Sequence, residues 1–150
     1  MRRIDVVDET TLPFSPPDVW RVLTDFPAYP SWWPSQVNVV VGQCEPELVG
    51  SMFAIRPFGG LGFTCRVSAV VAKSTMRIQY VEGVYRGTGV WTLTPAEQGT
   101  RIQYAINLEI VSRLLALLSF VTDLGAIHSR LMQQMFGNLE RQVATRLARQ

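Results

Sequence analysis

At 150 residues, 47% hydrophobic and 17% charged, the chain suits one domain, residues 1–150, around one sizeable core. A net charge of +2 gives no argument for the basic stripe of a nucleic-acid binder, so nucleic acid is not an expected partner. The single histidine excludes a histidine-based metal cluster, Cys44 and Cys65 form no CxxC pair, and neither metal nor cofactor is expected.

The first residues lack the apolar core of a signal peptide. The longest apolar run, Leu114 to Val121, is too short to span a bilayer. With both thiols read as reduced, the expected location is the cytoplasm.

In chain order, residues 3 to 12 read as a strand closed by Pro13. Ser15 is placed as a helix N-cap, with Pro16 at the first helical position, where its missing N–H costs nothing. Phe14 and Val19 have the spacing of a hydrophobic staple. Val19, Val22, Leu23 and Phe26 recur at helical spacing, so the helix at 15 to 26 is expected to bury one face. Ala28 to Pro34 (AYPSWWP) leaves room for one turn. Its adjacent Trp32 and Trp33 cannot share a direction, so one is expected to point inward and the other to lie near the surface.

From Val37 the period changes to two. Strands are expected at 36 to 43, 48 to 56, 61 to 72, 75 to 81, 84 to 94 and 100 to 111, joined by short Gly-, Pro- and Ser-containing turns. Such spacing describes an antiparallel meander. One face carries Phe53 and Ile55, then Phe63 and Cys65, then Ile78 and Tyr80. It continues through Tyr85, Gly87, Gly89 and Trp91 to Tyr104 and Ile106. The other face carries Arg56, Arg66, Arg77, Arg86 and Arg101. The sheet is therefore apolar on one side and solvated on the other, and its apolar side must be covered.

The cover is expected to be a helix from Asp123 to Gln150. Its apolar residues, Leu131, Met135 and Leu139 among them, fall on an arc of roughly 200°, wide enough to need a curved surface around it. His128 lies within that arc. By alternation, no Asp, Glu, Lys or Arg points inward to accompany it. Gly87 and Gly89 remove two side chains from the apolar face, for close approach of the helix backbone or to leave space. Leu114 to Val121 (LLALLSFV) has two readings. One is the buried start of the helical region, before a kink near Asp123 and Gly125. The other is a mobile flap at a cavity mouth that makes transient contact with a membrane or releases a ligand. Pro57 to Gly60, with Phe58, would form the other lip.

The order strand, helix, short helix, six strands, long helix, together with Ser15-Pro16-Pro17-Asp18-Val19-Trp20 and Asp25-Phe26-Pro27-Ala28-Tyr29-Pro30-Ser31-Trp32-Trp33-Pro34, resembles the START-like (SRPBCC) superfamily. The branch it is most similar to is the polyketide cyclase/dehydrase and lipid-transport group. The Gly99-Thr100-Arg101 turn and the helical end with Leu139-Glu140 resemble it as well. The resemblance covers essentially the whole chain. It implies an α+β helix-grip fold: a curved antiparallel sheet of about seven strands around a long C-terminal helix, two short helices after the first strand, and a deep cavity between sheet and long helix. It also implies ligands of lipid, quinone or polyketide type, and in some members cyclase or dehydratase chemistry.

An apolar cavity with a few convergent polar groups is a site for a hydrophobic small molecule. The expected ligand-binding set is Phe53, Ile55, Phe63, Cys65, Ile78, Tyr80, Tyr85, Gly87, Gly89, Trp91, Tyr104, Ile106, His128, Leu131 and Met135. The first functional reading is binding or transport of such a ligand. The second is a cyclase or dehydratase, in which His128 and an inward tyrosine such as Tyr104 move a proton. The third is a protein or RNA interaction module using the outer arginines, which requires a filled interior. The oligomeric state is left open.

Overall fold

The computed structural model describes residues 2–150. Strand β1 (Arg3–Leu12) leads into α1 (Pro16–Leu23), a 3-10 turn (Phe26–Ala28) and α2 (Tyr29–Trp32). Then follow β2 (Val37–Val41), β3 (Met52–Pro57), β4 (Phe63–Val71), β5 (Thr75–Gly83), β6 (Tyr85–Ala96) and β7 (Gly99–Ile110), and last α3 (Arg113–Leu118) and α4 (Leu124–Ala148). All seven strands form one antiparallel sheet in the order β1-β7-β6-β5-β4-β3-β2. The meander thus runs from β2 to β7, and β1 returns to pair with β7 from Arg3 opposite Glu109 to Leu12 opposite Thr100. The sheet curves into a half-barrel around α4. Register shifts at Thr64/Cys65 and Val67/Ala69 in the β4–β5 pair are irregularities of the kind that bend and twist a sheet.

The period-two reading of the faces holds. Cys65, Val67, Met76, Ile78, Trp91, Leu93, Ile102, Ile106 and Leu108 are buried, while Arg56, Arg66, Arg77, Arg86 and Arg101 are exposed. Arg101 is paired with Glu9 across β1 and β7. The early strand limits differ. Residues 42–51 form a connection, so β3 begins at Met52 and not at 48. Leu48 and Gly50 both take positive φ, and the hydroxyl of buried Ser51 accepts the Glu45 N–H at 2.8 Å. The turned backbone is held by local bonds and, at its end, by β4, where the Gly50 N–H donates to the Val67 carbonyl and the Val67 N–H to the Ser51 carbonyl.

Helix α1 begins where expected, but its cap works differently. Ser15 is extended at ψ 153°, and its carbonyl accepts the Asp18 and Val19 N–H groups. Its hydroxyl donates to the Asp18 carboxylate at 3.0 Å and caps no backbone N–H. The helix buries Val19, Trp20, Val22 and Leu23, and Phe26 follows in the 3-10 turn. Asp25 anchors this end of the fold by accepting from Arg146 of α4 at 2.7 Å.

The stretch from Leu114 to Val121 is not the buried start of the long helix. It forms α3, which has no buried residue, and a turn after it. Leu114, Leu117, Leu118, Phe120 and Val121 are all exposed, Val121 at 82%. The separation is built by two caps. The Ser112 hydroxyl accepts the Leu115 N–H, and the Asp123 carboxylate accepts the Ala126 N–H at 3.0 Å, starting α4 afresh in place of a kink. Among the described residues, no helix is long and apolar enough to cross a membrane.

The fully buried residues of α4 are Met132, Met135, Phe136, Leu139 and Val143, all in its middle. Leu139 is at 0% exposure, so Leu139→Ala is expected to cost roughly 3 kcal/mol through lost transfer energy and a residual void. Leu117→Ala, at a side chain 67% exposed, should change stability by less than about 0.5 kcal/mol. Urea unfolding of the two variants measures both.

Candidate functional site

The first turns of α4 contain no fully buried residue. Here the helix touches β1, and a cavity of about 330 Å³ lies between it and the rest of the sheet. Its floor is the inner face of the sheet, with Phe53 and Ile55 of β3, Phe63 and Cys65 of β4, and Ile78 and Tyr80 of β5. Tyr85 and Trp91 of β6, and Tyr104 and Ile106 of β7, complete it. The roof is Leu124, Ile127, His128, Leu131 and Met135 of α4. At the mouth, Phe58 and Leu61 from the β3–β4 loop and Leu115 and Leu118 from α3 also line the space.

Every residue of the expected set lines this cavity except Gly87 and Gly89. Neither glycine leaves space, and neither admits a helix. Gly87 has φ +139°, and a Cβ there would lie 2.1 Å from the Asn107 carbonyl oxygen, so this glycine serves the backbone. At Gly89 a Cβ would lie 2.1 Å from the Tyr104 hydroxyl. The missing side chain is replaced by the Tyr104 ring, which comes from the diagonal position on the neighbouring strand.

That placement creates the first polar feature. Tyr104 and Tyr80 hydroxyls are hydrogen-bonded at 2.8 Å, with Tyr104 packed on Trp91 and Tyr80 stacked on Phe63. Burial pushes both phenols far above their ordinary range, so both are neutral at physiological pH. In such a pair one hydroxyl donates to the other, leaving one O–H and the unused lone pairs for a further partner. Burial likewise raises the Cys65 thiol, which is an inert part of the wall.

The second polar feature corrects the expectation that no carboxylate points inward. Asp8 on β1 is buried at 7% exposure, and its Oδ2 lies 3.4 Å from Nδ1 of His128. The signal was present in β1, where Ile4, Asp8 and Leu12 share one buried face by simple alternation. Neither Asp8 Oδ2 nor His128 Nδ1 has a hydrogen-bond partner among the described residues, and 3.4 Å is longer than an ordinary N–H···O bond. The contact is charge-to-ring. It favours the neutral tautomer with its proton on Nδ1, leaving the Nε2 lone pair as an acceptor. The ring also lies nearly parallel to Tyr104, with centroids 6.1 Å apart.

The tryptophan question resolves with both rings in use. Trp32 is buried at 6% exposure, and Trp33 is half-buried and lines the cavity. Both indole N–H groups are buried without a partner among the described residues. They sit in an aromatic cluster with Tyr29 and Phe53, in which Tyr29 is held by its hydroxyl donating to the Leu23 carbonyl.

Residues 3–144 match the family described as polyketide cyclase/dehydrase and lipid transport. The chain belongs to that family. No curated protein matches it. Among solved structures, the Zhui aromatase/cyclase from Streptomyces sp. R1128 superposes with a TM-score of 0.75 at 14% identity, covering 97% of this chain and 96% of that one. TTHA0849 from Thermus thermophilus gives 0.74 at 16% identity, covering 96% and 98%. MLL2253 from Mesorhizobium loti gives 0.64 at 22% identity, covering 97% and 98%. At these identities the likeness speaks for the fold. The START-like helix-grip architecture is thus that of a polyketide cyclase/dehydrase family member, matched over residues 3–144.

Burial lowers the His128 pKa below 6.5, and the nearby Asp8 carboxylate offsets this only in part. Between that lowered value and 6.5, the unfolded chain binds more protons than the folded one, so stability falls as pH drops through this window. As the chain has one histidine, its NMR titration reads this group alone. The midpoint is expected below 6.5, and lower still in Asp8→Asn, which removes the carboxylate's pull but not the burial. A rise in the Asp8→Asn midpoint would show that the pair is not coupled as described.

Proposed function

We propose that the protein binds a hydrophobic small molecule of lipid, quinone or polyketide type in the cavity between sheet and α4, as a carrier or sensor. The observation that carries this reading is the cavity itself. Its volume of about 330 Å³ falls at the lower end of the roughly 300–1,000 Å³ of small-molecule sites. Its walls are aliphatic and aromatic, and its few polar groups include the Tyr80–Tyr104 pair, His128, the Tyr85 hydroxyl and the Trp33 indole. Such a wall favours a ligand that loses apolar hydration on entry and uses one or two hydroxyl or carbonyl groups for orientation. An interaction module built on the outer arginines needs a filled interior, and the open cavity weighs against it.

Native mass spectrometry of the purified protein, followed by organic extraction, is expected to yield an apolar adduct. Leu131→Trp, placed on the cavity roof, should fill the space and weaken binding of that adduct by about tenfold or more. Unchanged binding in a correctly folded Leu131→Trp would remove the cavity from the function.

The buried Asp8 carboxylate behind His128 supports a second reading, cyclase or dehydratase chemistry. A histidine oriented by a carboxylate, with its second nitrogen free, has the arrangement of a general base. A buried phenol close to it is a candidate proton donor. On that reading, His128→Ala lowers turnover of a polyketide-type substrate by about 100-fold or more while affinity changes little. Equal turnover in the variant would leave His128 as a binding group only.

A further inference from the structure

The large apolar side chains left exposed are not scattered evenly. Leu114, Leu117, Leu118, Phe120 and Val121 crowd into α3 and the turn after it. Phe58, 65% exposed, and Leu61, 44% exposed, lie in the β3–β4 loop. These are the two lips of the cavity, since Phe58, Leu61 and Leu118 also line its wall. Apolar side chains clustered on both sides of a cavity opening are a contact surface, not a random remnant of folding.

The charges on these lips are of one sign. From Ile110 to Thr122 the only ionisable side chain is exposed Arg113, and from Arg56 to Gly62 it is exposed Arg56. Arg2 adds a third cation. Its guanidinium sits 4.3 Å over the Phe120 ring and donates to the Ser119 hydroxyl and carbonyl, both at 2.9 Å. A groove behind this contact is lined by Arg2, Arg3, Ser119 and Thr122, and also by Asp5 and Asp123. Asp123 is engaged in capping α4. An aromatic ring exposed to the outside with a cation held over it places apolar and charged groups together, as at the boundary between acyl chains and anionic headgroups.

We infer that the two lips dock the cavity mouth on an anionic bilayer, with Leu117, Phe120, Val121 and Phe58 entering the headgroup–acyl boundary and Arg2, Arg56 and Arg113 meeting lipid phosphates. A bilayer fits better than a protein face. The apolar residues stand on two projections around an opening, and an apolar ligand leaving that opening would otherwise cross water. This last argument rests on the proposed binding function; the exposure and the charge do not. The chain lies on the membrane and does not span it, and attraction to anionic lipid adds to apolar insertion.

The test is co-sedimentation of the full-length protein with phosphatidylcholine vesicles, with and without phosphatidylglycerol, alongside its oligomeric state by sedimentation velocity. Binding is expected to the mixed vesicles and to weaken as salt rises. Leu117→Ser/Phe120→Ser should reduce it by about tenfold or more, and Arg113→Gln by roughly fivefold. These side chains are exposed, so thermal melting should be unchanged. Absence of vesicle binding, or binding unaffected by the double substitution, overturns the proposal. A wild-type dimer that the double substitution dissociates, without vesicle binding, assigns the lips to a second copy of the chain and overturns it equally. Vesicle binding is measured on protein stripped of any adduct, so the docking and the ligand-binding readings fail separately.

Discussion

Everything in this fold depends on one helix being gripped over only part of its length. Met132, Met135, Phe136, Leu139 and Val143 seat the middle of α4 against the sheet and α1, and the Asp25–Arg146 pair ties its far end to the loop after α1. Over its first turns the helix stays in touch with β1, where Gly125 lies against Val6 and His128 meets Asp8. On its other side Leu124, Ile127, His128 and Leu131 line a space in front of the remaining strands. A curved sheet has more inner surface than one helix can cover. The uncovered remainder becomes a cavity.

The cavity's polar groups follow from that geometry. An isolated histidine in an apolar wall has little to orient it, and an isolated buried carboxylate is costly. Asp8 and His128 come from β1 and α4, near opposite ends of the chain, and each moderates the burial of the other. Tyr80 and Tyr104 do the same for their hydroxyls, with Gly89 clearing room for the second ring. The outcome is a mostly apolar wall in which the Tyr80–Tyr104 hydroxyls and His128 can donate to or accept from a ligand. Such a wall serves orientation of a ligand, and with a tuned histidine it also has the groups that proton transfer requires.

Much of the architecture was legible because alternation and helical period are local. The two faces of β3 to β7 and the arc of α4 follow from side-chain direction alone. The misreadings share a cause. Leu114 to Val121 is as apolar as a buried helix, yet its caps at Ser112 and Asp123 detach it from α4 and leave it outside. Gly87 and Gly89 are alike in sequence, yet one answers to backbone conformation and the other to a ring from the next strand. Asp8 was legible in the alternation of β1, but its importance depends on a helix at the other end of the chain.

The apolar side of the sheet, the antiparallel meander and the wide apolar face of the last helix follow from the order of residues alone, because they depend on periods of two and 3.6 residues. That Asp8 meets His128, that Tyr104 covers Gly89, and that α3 lies open beside the cavity mouth follow from the folded arrangement. Those facts depend on how far a curved sheet stands from one helix, and that distance is set by packing between residues remote in the chain.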